Sequence, residues 1–236
     1  MFYLQNQETY DFKEGQIILI DKPVEWTSFD IVKKIRNLIS KQFDFKKLKV
    51  GHAGTLDPLA TGLLIVCTGK QTKQIDNYQA QEKEYITTIK LGATTPSYDR
   101  ETEENEIFPT EHITPELIKE KITEFIGEQE QVPPIFSAKK VNGVRAYHAA
   151  RNGQEIELKA NSINIHNIEI LDINMPFVKV KINCSKGTYV RSLGRDLGLA
   201  LNSGGYLYDL RRTKIGDFQV EKAMNISDFE KNVTNL

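Results

Sequence analysis

Gly51-His52-Ala53-Gly54-Thr55-Leu56-Asp57-Pro58-Leu59-Ala60-Thr61-Gly62 runs directly into the apolar segment Leu63-Leu64-Ile65-Val66-Cys67. A carboxylate is fixed between glycines and a proline, and a stretch that reads as a buried strand follows it. Pro58 steers Asp57 away from helical backbone, while Gly51, Gly54 and Gly62 permit turns or close approaches that residues with side chains resist. The segment therefore displays Asp57 on a loop, a placement that suits a nucleophile or a binding group.

On either side of this loop strands and helices intersperse, with no internal repeat, low-complexity tract or evident linker. Gln16–Ile20 predicts a buried strand, and Thr27-Ser28 cap a helix whose Ile31, Val32, Ile35, Leu38 and Ile39 form one apolar face. Leu63–Thr68 is the next strand. Lys83–Leu91 alternates Tyr85, Thr87, Ile89 and Leu91 with Glu84, Ile86, Thr88 and Lys90, which predicts a strand ending at Gly92. Thr114-Pro115-Glu116 opens a helix to about Ile126 that Gly127 ends. Arg145–Arg151 reads as a short helix closed by Asn152-Gly153. Ser162–Ile173 and Val178–Cys184 pair around a Met175-Pro176 turn, Tyr189–Leu201 is a helix, and Tyr206–Thr213 a strand. Strands joined by short turns, with helices between, indicate an α+β fold built on a largely antiparallel sheet.

Composition sets wider bounds. The 236 residues, 39% hydrophobic and 27% charged, suit one large or two small globular domains. No apolar run approaches the roughly 20 residues of a membrane-spanning helix, and Glu8, Asp11 and Glu14 near the start do not fit a signal peptide; the expected location is the cytoplasm. Cys67 and Cys184 are the only cysteines, with no CxxC spacing, so two free thiols are favoured over a disulfide or a metal site. A net charge of −1 argues weakly against a nucleic-acid partner, but it averages two unlike regions. Residues 21–50 hold eight basic and four acidic side chains, and 101–130 hold ten glutamates with only Lys119 and Lys121. A local basic footprint survives if these regions occupy different faces, although most individual lysines read equally well as solvated helix positions.

The Asp57 stretch resembles the signature of the TruB family, pseudouridine synthases that modify the T-loop uridine of tRNA, position 55 in tRNA convention. The resemblance runs from about Ile17 to Ala223 in family order. Asp21-Lys22-Pro23 with Trp26-Thr27-Ser28 is similar to the N-terminal motif, and Lys83-Glu84-Tyr85 with Leu91-Gly92, Thr95 and Asp99 to the second. Val132-Pro133-Pro134-Ile135-Phe136-Ser137-Ala138-Lys139-Lys140 and Arg145-Ala146-Tyr147 resemble the central segment. Lys186-Gly187-Thr188-Tyr189-Val190-Arg191-Ser192-Leu193 resembles the third motif and Leu210-Arg211-Arg212-Thr213 the fourth.

The resemblance implies the pseudouridine synthase fold, with a cleft across a mixed, largely antiparallel sheet. It also implies a reaction without metal, cofactor or energy source. The essential aspartate is then Asp57, acting on the ribose or on the base; attack at C1′ or C6 and abstraction of the C2′ proton both stay open. An aspartate with an ordinary pKa of about 3.9 is ionised at neutral pH, and a neighbouring cation offsets its burial. By resemblance that cation is Arg191, which otherwise reads as an exposed helix arginine. Tyr85 is the stacking face for a flipped base, Tyr189 handles the proton at C5, and Leu210 lines the uracil pocket; each equally resembles an ordinary packed side chain. His52 fills the space the flipped base vacates, Lys22 supports the floor of the site, and Asp99 contacts RNA or closes a turn. Arg211 and Arg212 hold phosphates, or one of them makes a buried ion pair.

Two departures from the family stand out. Thr102 occupies a position where relatives often have glycine, so the Arg100–Glu104 loop is expected to be reshaped. Glu221–Leu236 is too short for a C-terminal RNA-binding module of the PUA type, leaving a single catalytic domain over 1–236 in which about 119–151 forms an RNA-clamping insertion. The expected partner is the T arm of tRNA. A non-catalytic RNA-binding protein and an aspartate-nucleophile hydrolase are the competing classes. Retention of Asp57, Tyr85, Tyr189 and Arg191 counts against the first, and the lack of a second-carboxylate metal motif against the other.

Overall fold

The computed structural model describes residues 11–137, 139–141, 144–145 and 158–235. The chain divides into two compact units, one comprising the chain up to Tyr85 together with Arg211 onward, the other Ile86–Leu210. In chain order the elements are β1 (Ile17–Lys22), α1 (Ser28–Gln42), β2 (Val50–His52), β3 (Thr61–Thr68), α2 (Ile75–Ala80), β4 (Lys83–Leu91), β5 (Ala93–Thr94), β6 (Glu106–Ile107) and α3 (Pro115–Thr123). Then come β7 (Gly127–Gln131), β8 (Lys140–Val141), β9 (Val144–Arg145), β10 (Asn161–Asn174), β11 (Phe177–Cys184), α4 (Val190–Ala200), β12 (Gly205–Ile215), β13 (Phe218–Gln219) and α5 (Ile226–Thr234). β4 and β12 carry the chain from one unit into the other. The result is α+β, as the order of apolar patterns predicts.

In the first unit β1 runs antiparallel to β3, with Ile18 opposite Val66 and Lys22 opposite Gly62. Successive side chains point to opposite faces of a strand, so both faces of this pair are packed. Ile18, Ile20, Leu64 and Val66 meet Ile31, Val32, Ile35 and Ile39 of α1 and Phe229 and Val233 of α5. On the other face Ile17, Leu19, Leu63, Ile65 and Cys67 pack with Ile215 and Phe218. Burial on both sides explains why β1 and β3 read as continuous apolar runs rather than alternating ones. Helix α1 starts where its chemistry directs: the Thr27 hydroxyl accepts from the Asp30 N–H at 3.0 Å, and the Asp30 carboxylate accepts from the Thr27 N–H at 3.0 Å.

Along its remaining edge β3 meets two strands. Its end at Thr68 pairs antiparallel with β2, and its start pairs parallel with β12, Gly62 lying opposite Arg212. In the second unit β10 and β11 form a long antiparallel hairpin around the cis Met175-Pro176 bond, and β7 pairs antiparallel with the start of β10.

The structure departs from sequence expectation at several ends. Helix α3 stops at Thr123, and residues 124–126 follow in tighter i→i+3 hydrogen bonds that lead into Gly127, at φ +113°. Gly127 opens β7, a strand whose alternation Gly-Glu-Gln-Glu-Gln carries no apolar signal. Arg145 belongs to the short β8–β9 pair, with Val141 opposite Val144; these valines flank Asn142-Gly143, a dipeptide that favours tight hairpins over helix. The rest of the expected 145–151 helix, including Ala146-Tyr147 of the central motif, lies outside the described residues, as does the 146–151 part of the expected RNA clamp.

Gly62 takes φ +103°, and a Cβ there would lie 2.3 Å from the Arg212 carbonyl oxygen and 2.8 Å from its nitrogen. Gly127 also has positive φ, but no atom lies within 4 Å of its ideal Cβ. Gly62→Ala is therefore expected to cost about 2–5 kcal/mol of stability, from left-handed backbone plus overpacking, against about 1–2 kcal/mol for Gly127→Ala. Denaturant unfolding of the two variants separates these contributions; equal losses would show that strand spacing at Gly62 gives way freely.

Candidate active site

Asp57 is partly exposed and lies on the loop joining β2 to β3. Its five consecutive carbonyls from Gly54 to Pro58 all accept hydrogen bonds. Arg212 Nη2 donates to Gly54 at 3.1 Å and Nη1 to Thr55 at 3.5 Å. Ser28 Oγ donates to the Leu56 carbonyl at 3.1 Å and accepts from the Leu56 N–H at 2.9 Å. The Asp57 carbonyl takes the Ala60 N–H at 3.1 Å, and Pro58 takes the Glu25 N–H at 2.8 Å and Lys22 Nζ at 3.3 Å. The Asp57 loop is irregular in backbone, yet these bonds fix the main chain that carries its carboxylate.

Two of these donors are buried cations. Lys22 is fully buried, and its ammonium also donates to the carbonyls of Pro23 at 2.9 Å and Trp26 at 2.6 Å. Burial pushes Lys22 down to about 8 against the opposing pull of the Asp57 carboxylate, and the nearby Arg212 charge adds to the fall. Arg212 is 1% exposed and also donates through Nε to the Leu63 carbonyl at 2.8 Å. Burial lowers its pKa, and a hydrogen bond to the Tyr85 side chain works the other way. A guanidinium only donates, so the Tyr85 oxygen accepts. Tyr85 is thus almost buried on β4 with its polar end held by Arg212. His52, on β2, is shifted below its ordinary range by burial and then by Arg212, which leaves the imidazole neutral at pH 7. Its buried Nδ1 has no hydrogen-bond partner among the described residues.

Of the residues marked by sequence, Lys22, His52, Asp57 and Tyr85 belong to the first unit, and Asp99, Tyr189, Arg191 and Leu210 to the second. Arg191 is in the first turn of α4 and is buried, not exposed. Its guanidinium donates to the carbonyls of Ser97 at 3.2 Å and Phe136 at 2.8 Å, and Nη1 lies 3.5 Å from the Asp99 carboxylate. Asp99 is itself buried, and its other carboxylate oxygen accepts the Glu101 N–H at 2.9 Å. Thr102 makes the turn specific: its hydroxyl accepts from the Ser97 N–H at 3.1 Å and lies 2.9 Å from Ser97 Oγ. Tyr189 caps α4 half-buried, and its N–H donates to Gln131 Oε1 at 2.8 Å. Leu210 is partly exposed on β12.

Arg211 and Arg212 separate cleanly. Arg211 makes a two-pronged, part-exposed pair with Asp21 at 3.0 and 2.7 Å, whereas Arg212 turns inward to the loop carbonyls. The roles of Arg212, Ser28 and Gln131 were missed from sequence. In sequence Ser28 reads as a helix cap and as part of the Trp26-Thr27-Ser28 motif, with no sign of its tie to Leu56, and Gln131 precedes the Val132 motif by one residue. Both cysteines are buried thiols, and burial pushes the Cys67 thiol up to about 12.

Comparison with known proteins identifies this arrangement. The family model described as TruB family pseudouridylate synthase (N terminal domain) matches residues 41–190, and that described as tRNA pseudouridylate synthase B C-terminal domain matches 191–235. Proteins named tRNA pseudouridine synthase B are similar over nearly their whole length. That of Phocaeicola vulgatus is 54% identical, covering 93% of both chains. That of Flavobacterium johnsoniae is 53% identical over 94% of this chain and 98% of the relative. Among solved structures, a chain of a Cbf5–Nop10–Gar1 complex matches with TM-score 0.70 at 27% identity, covering 93% of this chain and 54% of that one. A chain of an H/ACA RNP bound to a substrate RNA containing 2′-deoxyuridine matches with TM-score 0.67 at 26% identity, covering 93% and 53%. This chain thus spans about half the length of those two structures. Fold and matched sequence define a pseudouridine synthase, an enzyme that isomerises uridine to pseudouridine. Within that class the chain belongs to the TruB family.

Lys22 gives the site a measurable signature. Its amine should titrate near 8 rather than at about 10.4. Between those values the unfolded chain keeps a proton the native state has lost, so this residue's contribution to stability rises with pH and levels off above the higher value. Nitrogen-detected NMR of the lysine amines reads the midpoint, and Lys22→Met should remove the matching component from the pH dependence of unfolding. A midpoint above 10 would mean that the carbonyl cage fully compensates the buried charge.

Proposed function

We propose that this chain converts the T-loop uridine of tRNA, position 55, to pseudouridine in the cytoplasm, with Asp57 as the essential carboxylate. The observation that carries this reading is the Asp57 loop itself: five successive carbonyls are satisfied, two of the donors being buried cations, so one carboxylate is held in a set position. Near-complete matches to proteins named tRNA pseudouridine synthase B support tRNA as the substrate.

In the proposed reaction the target base leaves its stack, which costs a few kcal/mol, and is held by contact with Tyr85 and Leu210 while His52 occupies the vacated space. The N1–C1′ bond breaks, the uracil turns, and a C5–C1′ bond forms; the proton displaced from C5 passes to a base, for which Tyr189 is the candidate. Asp57 either adds to C1′ or C6 or takes the C2′ proton, and both routes return it unchanged. Arg191 orients and compensates the carboxylate, with Asp99 and two backbone carbonyls fixing the guanidinium. Lys22 acts through the Pro58 carbonyl and is a positioning residue. The segment around 119–151 is assigned to clamping the T arm.

Pseudouridine mapping on unmodified tRNA tests the assignment. The wild type should modify the T-loop uridine, and Asp57→Asn should lower the rate by about 10³-fold or more while leaving RNA binding within a few-fold. If both proteins bind the RNA and neither modifies it, the non-catalytic RNA-binding reading replaces this one.

A further inference from the structure

Five lysines converge at the end of the first unit's sheet that lies away from Asp57. Lys13 precedes β1, Lys47 and Lys49 precede β2, and Lys70 and Lys73 follow β3; the registers Ile17 to Cys67 and Val50 to Thr68 bring these three segments together. They surround a concave site of about 340 Å³, with Leu48 and Gly69 in its wall. Backbone bonds fix the segments to one another: the Gly69 N–H donates to the Lys49 carbonyl at 2.9 Å and the Lys70 N–H to the Glu14 carbonyl at 3.2 Å.

Among the described residues the charge at this site is poorly compensated. Lys70 is paired with Glu14 at 2.7 Å, and the Lys13 ammonium lies 4.3 Å above the Phe45 ring. Asp11 is turned toward the backbone N–H groups of Lys13 and Glu14. Among the described residues no acidic side chain lines the concavity, and Lys47, Lys49 and Lys73 make no ion pair. Such a concentration of like charge in a chain of net charge −1 is most stable with a polyanion seated on it.

We propose that this lysine site binds backbone phosphates of the RNA substrate at nucleotides outside the T-arm hairpin. The proposal rests on the reading of the chain as a tRNA-modifying enzyme. The seven steps of β3 from Thr61 to Thr68, at a rise of about 3.3 Å each, put the lysines roughly 23 Å from the Asp57 end of the strand. Lysines are point charges on flexible stems, suited to holding phosphates without reading bases. The site thus adds affinity and register for the folded RNA while leaving recognition of the uridine to the Asp57 end.

The test compares Asp57→Asn with the same protein carrying Lys47→Ala, Lys49→Ala and Lys73→Ala, binding unmodified full-length tRNA and an isolated T-arm hairpin between 50 and 200 mM salt. All three lysines are exposed, and an unchanged melting temperature verifies the fold. Removing three phosphate contacts should weaken binding of full-length tRNA by about 10- to 100-fold at low salt and reduce the slope of log affinity against log salt by about two. Hairpin binding should stay within twofold. Unchanged tRNA affinity and slope overturn the proposal; if in a parallel titration the substitutions weaken polyglutamate binding instead, the site is assigned to an acidic protein. Equal losses for both RNAs overturn the placement outside the T arm. Isomerisation by the wild type is scored separately, so a protein that binds through these lysines but never isomerises refutes the catalytic reading and leaves this site standing.

Discussion

The Asp57 loop depends on two buried cations that donate to its carbonyls. An ammonium or guanidinium withdrawn from water loses several kcal/mol of hydration, and only well-placed acceptors make that tolerable. Lys22 finds three carbonyls and Arg212 three, with the Tyr85 oxygen in addition. The relation is mutual. A loop that turns its carbonyls inward needs donors that no neighbouring strand supplies, and side chains that carry several N–H groups at fixed angles replace a ladder of backbone bonds. Removing either cation would orphan acceptors, and straightening the loop would strand a charge. Lys22 and Arg212 therefore act on the carboxylate's position through the main chain, and Lys22 through its field as well.

The sheet brings these partners within reach. Gly62 and Arg212 face each other in the parallel register of β3 with β12, at a separation that a side chain on residue 62 would prevent. Arg212 can reach Gly54, Thr55 and Leu63 because its strand lies directly beside the one the loop feeds. In the second unit α4 performs the corresponding task for Arg191. Gln131 fixes the Tyr189 N–H, Ser192 Oγ holds the Val132 carbonyl at 2.8 Å, and Arg191 closes on Ser97, Asp99 and Phe136. Here too irregular segments are stapled by side chains of a regular element.

What could be read in the sequence follows from which forces act locally. Helix α1 and strand β4 were legible because capping, apolar period and alternation are written into consecutive residues. So was the loop around Asp57, since proline and glycine act on their own backbone. Strand β7 was not legible, because Gly-Glu-Gln-Glu-Gln becomes a strand only by pairing with β10. Likewise β2 is three residues long and α2 six, too short for periodicity to register. The adjacent arginines show the same limit within the site. Neighbours on a strand must point to opposite faces, so one of Arg211 and Arg212 had to turn inward. Which one depends on where the Asp57 loop and Asp21 sit, and nothing in Leu-Arg-Arg-Thr encodes that. The eight proposed site residues rest on the family resemblance, whereas Ser28 and Gln131 became visible only through the backbone atoms they hold.

Charge was the feature that composition described least well. All ten glutamates of 101–130 are exposed and belong to the second unit, whereas the lysine-lined concavity belongs to the first. A phosphate near the surface responds to charges within a Debye length, about 8 Å at physiological salt, and a total summed over 236 residues is not the quantity it experiences. Net neutrality is thus compatible with strong local attraction at the lysine-lined concavity. Electrostatics of this kind selects how a polyanion lies on the protein before any base is read, and it leaves the buried, carbonyl-bound cations free for positioning Asp57, since their donors are already committed to the protein's own backbone.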